Sequence, residues 1–102
     1  MTDSPATPGR MPVLVNLNTQ ARFTLNSPSA SLGRAPENDV VLPEDGYASA
    51  DHARVYFDQG RWWVEDLMSS NGTFVNDKLL GEPWPLSPND LIKVGRTIFR
   101  IE

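Results

Sequence analysis

The apolar residues of this chain come only in short runs, and clusters of Gly, Pro, Asn, Asp or Ser interrupt them every eight to twelve residues. No stretch of ten or more residues carries a helical apolar period without a Pro or Gly breaking it. Packed helices are thereby disfavoured, and short strands remain. The candidates span residues 12–17, 21–25, 29–34, 39–42, 52–57, 61–67, 73–76, 78–80, 90–95 and 97–102. Several are rich in Val, Ile, Phe and Trp, which fit a pleated, half-buried surface. In the last of them, Phe99 and Ile101 share an interior face and Ile98 and Arg100 the other. The same alternation sends one of Trp62 and Trp63 into the core and the other outside. Turn chemistry falls at "DQG" (58–60), "NDK" (76–78) and "SPND" (87–90), with a loop at "PENDV" (36–40). Many short strands without helices predict an all-β, antiparallel sandwich or barrel. At 102 residues the chain reads as one domain, residues 11–102, preceded by a disordered tail over residues 1–10, "MTDSPATPGR".

Composition then removes whole classes of chemistry. There is no cysteine, so disulfide frameworks, thiolate metal sites and cysteine nucleophiles are excluded. A single histidine argues against an all-protein metal centre, and no residue pattern calls for a cofactor. The net charge is −4 and the nine Lys and Arg are scattered singly, so nucleic acid is not an expected partner. No apolar run approaches the roughly 20 residues of a membrane helix, and the start of the chain has no secretory apolar region. The chain reads as soluble and cytoplasmic, with no membrane partner. If such an acidic protein binds an anion, a local site must do it.

Four places carry more polar chemistry than a sandwich needs. Gly33-Arg34 ends a strand on a guanidinium, either solvated or a bidentate fork for phosphate or carboxylate. Ser49 and His52 stand three apart before a strand: a self-bonded loop, or two members of a hydrolytic triad for which no oxyanion hole or nucleophile elbow is visible. Trp62-Trp63 is core packing. In "SSNGTF" (69–74), Asn71-Gly72 is the strongest two-residue hairpin signal a sequence carries, because a type I′ turn needs φ > 0 at both positions. Yet the hydroxyls of Ser69, Ser70 and Thr73 crowd the same corner.

In order and spacing these elements form one pattern: "LGR", "NDVVL", "SADHA", "WVEDLMSSNGTFVN" and the late "NDLIKVG". The pattern resembles the forkhead-associated (FHA) domain and covers residues 12–102, nearly all of the chain outside the tail. The resemblance implies an eleven-stranded β-sandwich that binds phosphothreonine peptides with loops at one end, a phosphorylation-dependent interaction module and not an enzyme. Carried over residue by residue, it implies that Arg34 grips the phosphate and that Ser49 and Ser70 donate hydroxyls to it. Asn71 would bond the peptide main chain. Gly33, His52 and Gly72 would shape the loops, with His52 holding the Ser49 loop and not touching ligand. The implied partner is a phosphothreonine-containing protein or peptide in Ser/Thr kinase signalling, engaged by a monomer.

One departure stands out. The residue after the loop serine, often basic or amide in the family, is Ala50, followed by Asp51. Both are possible modifiers of phosphate affinity. They motivate the alternative of a phospho-independent scaffold or dimerisation domain on the same fold. Peptide selectivity would come from residues 36–38, 46–48 and 76–79. Thr2 and Thr7 in the tail offer a route to self-recognition if phosphorylated.

Overall fold

The computed structural model describes residues 11–102. The proposed tail, with Thr2 and Thr7, lies outside the described residues. Eleven strands follow in order: β1 (Val13–Asn16), β2 (Arg22–Thr24), β3 (Ser29–Gly33), β4 (Val40–Val41), β5 (Ala53–Asp58), β6 (Arg61–Asp66), β7 (Thr73–Val75), β8 (Lys78–Leu79), β9 (Trp84–Pro85), β10 (Leu91–Val94) and β11 (Thr97–Ile101). They form a six-stranded sheet, β2-β1-β11-β10-β7-β8, and a five-stranded sheet, β4-β3-β5-β6-β9. Every pairing is antiparallel except β3 with β4, which run parallel. The sandwich is therefore mixed at one edge, where the loop from β3 to β4 crosses over instead of folding back.

The core lies between the sheets and joins Leu14, Ile92, Val94 and Phe99 of one to Leu32, Ala53, Val55 and Val64 of the other. Period-two alternation produces it: in β11, Thr97, Phe99 and Ile101 are buried while Ile98 and Arg100 are only partly covered. Trp62 packs against the core and stacks edge-on against Phe57 at 5.5 Å. Trp63 lies on the outer face, its indole N–H donated to the Asp58 carbonyl at 3.0 Å. Neither tryptophan is fully buried.

All three anticipated turns carry left-handed backbone, Asn89 (φ 72°) alone in the one at 87–90 and a pair of residues in each of the other two. Gln59 and Gly60 (φ 52° and 82°) turn β5 into β6, and Asn76 and Asp77 (φ 50° and 72°) turn β7 into β8. Both have the positive φ pair of a type I′ hairpin. Asn71-Gly72 does not. Only Gly72 has positive φ (84°), and the segment carries the chain from β6 in one sheet to β7 in the other. The hairpin expectation is corrected: the corner crosses between layers, and side-chain bonds to a neighbouring loop shape it.

β9 was not anticipated, since two residues, Trp84 and Pro85, cannot display an alternation.

Candidate functional site

Three crossings converge at one end of the sandwich: residues 34–39 after β3, 42–52 before β5, and 67–72 between β6 and β7. Main-chain bonds tie the first two together, Arg34 N–H to the Ser49 carbonyl at 2.9 Å and Ala35 N–H to the Ala50 carbonyl at 3.1 Å. This approach leaves no room beside Gly33. A methyl there would overlap the Ala50 carbonyl and lie 2.8 Å from Asn38 Nδ2. Asn38, which the sequence reading placed in a peptide-selecting segment, is instead buried and clamps the pair by donating to the carbonyls of Ala35 (2.9 Å) and Ala50 (2.7 Å).

The third crossing is fastened to the second. Ser70 donates its main-chain N–H to Ser49 Oγ at 2.9 Å, and Asn71 Nδ2 donates to the Tyr47 carbonyl at 2.9 Å. His52 sits beneath both, fully buried. Its Nδ1 accepts the Ser49 main-chain N–H at 3.0 Å, and its Nε2 lies 2.8 Å from the Gly72 carbonyl. A main-chain N–H can only donate and a carbonyl only accept, so the ring is neutral with its proton on Nε2. This arrangement removes the hydrolytic alternative, because neither ring nitrogen is available to take the Ser49 hydroxyl proton.

Two carboxylates that the sequence reading missed support the loops from below. Asp66 accepts the Ser69 N–H (3.1 Å), the Ser69 hydroxyl and the Thr73 hydroxyl (2.7 Å). Partial burial pushes its pKa up, but these bonds from Ser69 and Thr73 outweigh burial and hold it below the ordinary value of 3.8. Asp45 accepts from Tyr47 N–H (3.0 Å), Arg96 N–H (2.8 Å) and the Thr97 hydroxyl (2.7 Å). Partial burial again works against ionisation, and the bonds from Thr97, Arg96 and Tyr47 again prevail and lower its pKa. The visible signal was spacing: Asp66 stands three before Ser69 and Asp45 two before Tyr47, as in side-chain-capped turns.

Above this support lies the rim. Arg34 is exposed, its Nε donates to the Ala48 carbonyl at 3.1 Å, and it takes part in none of the three ion pairs among the described residues. Its other N–H groups have no protein acceptor among the described residues. The Ser49 hydroxyl accepts one bond and keeps its own proton to donate. The Ser70 hydroxyl makes no protein bond among the described residues, and Asn71 keeps its carbonyl oxygen. By contrast, no buried side-chain polar atom among the described residues lacks a partner. Ala50 and Asp51 are both exposed, and the Ala50 carbonyl faces inward to Asn38. All four predicted contact residues are thus brought together, as are Gly33, His52 and Gly72. A groove of about 680 Å³ lies to one side, lined by Phe23, Leu42, Pro43, Tyr47 and Arg96, and includes none of the four.

Residues 30–95 match the model of the FHA domain. The chain belongs to the FHA domain family. The FHA domain-containing protein FhaB of Mycobacterium tuberculosis is 34% identical over 83 residues, which span 81% of this chain and 53% of that protein. This FHA chain thus spans about half the length of that relative. Among solved structures, one from a study of phosphothreonine-dependent FHA domain interactions aligns with a TM-score of 0.83 at 26% identity, covering 90% of this chain and 95% of that one. The FhaA FHA domain, complexed with the intracellular domain of Rv3910, aligns with a TM-score of 0.81 at 26% identity, covering 89% and 99%. The expected β-sandwich is borne out, with the parallel β3–β4 pair as its one amendment.

Proposed function

We propose that this FHA domain is a phosphothreonine-dependent interaction module that recruits phosphorylated partners of Ser/Thr kinases in the cytoplasm, as a binding protein and not a catalyst. One observation carries the reading: Arg34, Ser49 and Ser70 meet at one rim with donors left over that no group among the described residues uses. A phosphothreonine brings about −1.5 to −2 charge and three strong acceptor oxygens. One guanidinium and two hydroxyls answer that demand with directed bonds, so the net charge of −4 is no obstacle. Asn71, held by Tyr47, presents its carbonyl oxygen to a peptide N–H beside the phosphothreonine. Gly33, His52 and Gly72 fix the loops and contact no ligand. The related domain studied for phosphothreonine-dependent interactions supports the same reading.

Titrating the domain with degenerate phosphothreonine, phosphoserine and unphosphorylated peptide libraries tests it. Saturable binding to the phosphothreonine library alone is expected. A folded sample that binds none of the three removes the reading and leaves the phospho-independent scaffold.

A further inference from the structure

Asn71-Gly72 is the one Asn-Gly pair in the sequence. Such a pair is labile, because nothing on the glycine shields its main-chain nitrogen. That nitrogen, on losing its proton, attacks the asparagine Cγ. The Gly72 N–Cγ bond forms, the Cγ–Nδ2 bond breaks, and Nδ2 leaves as ammonia with the displaced proton. Water then opens the cyclic imide at either carbonyl to give aspartate or isoaspartate. No oxidant or cofactor enters the balance.

The fold requires this pair. Gly72 has φ +84°, and a methyl there would stand 2.5 Å from Leu79 Cδ1. Asn71 supplies the amide that ties its crossing to the Tyr47 carbonyl. What the fold provides is restraint on every reacting group. The Gly72 N–H is donated to Ser69 Oγ at 2.9 Å, and Ser69 is itself anchored on Asp66. The Asn71 amide is donated to Tyr47 at 2.9 Å, and the Gly72 carbonyl is held by His52 at 2.8 Å. Ring closure needs the nitrogen deprotonated and turned onto Cγ, within about 3–3.5 Å. Turning it breaks the Ser69 bond, and its proton is stabilised while that bond lasts.

We propose that Asn71 is a deamidation site held in check by Ser69, Tyr47 and His52, and that its conversion is a slow, irreversible off-switch for the loop. Conversion deletes the donor to Tyr47 and places a carboxylate at the rim. Isoaspartate also lengthens the main chain between Ser70 and Gly72. The loss of phosphopeptide binding rests on the function proposed above, whereas the chemistry does not.

The test incubates the native chain, Ser69→Ala, Ser69→Thr and the native chain in denaturant at mildly alkaline pH, then maps aspartate and isoaspartate by mass spectrometry of digests. Conversion at Asn71 is expected to be at least about tenfold slower in the folded chain than in denaturant, since it awaits a local opening. Ser69→Ala should be several-fold faster than native, and Ser69→Thr, which keeps the hydroxyl, close to native. Equal rates in folded and denatured native chain would overturn the proposal. So would a Ser69→Ala variant that keeps its tryptophan fluorescence and the native rate. Should Ser69→Ala fail to fold, amide exchange at Gly72 in the native chain decides: slow exchange supports the restraint, and exchange at the unfolded rate refutes it. Fresh and incubated native samples are then compared for phosphothreonine-peptide binding. A fresh sample that does not bind refutes the proposed function and leaves the deamidation result standing.

Discussion

Ser49 and Ser70 are joined by one hydrogen bond, from the main-chain N–H of Ser70 to the hydroxyl of Ser49 at 2.9 Å. The bond occupies an acceptor site on Ser49 and leaves its proton available. It also sets the Ser70 hydroxyl next to it, although 21 residues of chain separate them. Two loops from different strands thereby act as one donor surface, and the groups that hold them can be tested singly.

His52 is the first. Replacing it with alanine leaves the Ser49 N–H and the Gly72 carbonyl without their partner. Each buried group so orphaned costs about 1–3 kcal/mol. Chemical denaturation of His52→Ala should show a loss in that range or above. Any surviving folded protein should bind phosphopeptide weakly, because the Ser49 and Gly72 loops are no longer coupled.

Gly33 is limited by space and not by its dihedrals. In Gly33→Ala the methyl meets a main-chain carbonyl at Ala50 that cannot swing aside. Overpacking of this kind costs about 1–3 kcal/mol. The midpoint of denaturation should fall, and phosphopeptide affinity with it, since the displaced segment carries Arg34 and Ser49. Unchanged stability would show that these loops yield more easily than their hydrogen bonds suggest.

Asp45 and Asp66 make the fold acid-sensitive. Both have folded pKa values below their ordinary 3.8, through bonds that favour the carboxylate. A depressed pKa contributes stability that is fully present above the unfolded value and is lost as pH falls through the folded one. Stability should therefore be level above about pH 5 and decline below about pH 4. Asp66→Asn should flatten part of that decline while lowering stability at neutral pH. Denaturation midpoints across this range check both.

Much of this architecture was legible in the sequence, and the reasons are local. Period-two alternation marked Phe99 and Ile101 as interior, and Gln59-Gly60 and Asn76-Asp77 turned where turn residues clustered. Trp84–Pro85 was too short to alternate, so β9 went unseen. Asn71-Gly72 misled because the local preference of the pair says nothing about which layer the next strand joins. The rim residues were found through spacing that resembles a family. The clamping roles of Asn38 and Asp45 were missed because Ala50, Arg96 and Thr97 meet them only in the tertiary fold, and that of Asp66 because its local bonds to Ser69 and Thr73 show in sequence only as turn spacing. A surface aspartate and a clamping one look alike in sequence.

Asp51 is a surface charge whose effect belongs to binding and not to folding. It is exposed and joins none of the ion pairs among the described residues. Asp51→Asn should strengthen phosphopeptide binding by up to about 1 kcal/mol. The gain should shrink as salt is raised. Titrations at low and high ionic strength measure it, and a change that ignores salt would mean that the carboxylate acts through contact.

The central claim is that Arg34 recognises phosphate at a rim shared with Ser49 and Ser70. The most direct measurement is calorimetric titration of native protein and Arg34→Ala with a phosphothreonine peptide selected from the library and with its unphosphorylated counterpart. Charge-assisted bonds of this kind contribute about 1.5–3 kcal/mol. The account predicts that native protein binds only the phosphorylated peptide and that Arg34→Ala, still folded, loses at least about tenfold in affinity. Equal affinity of the two proteins for the phosphorylated peptide would contradict it.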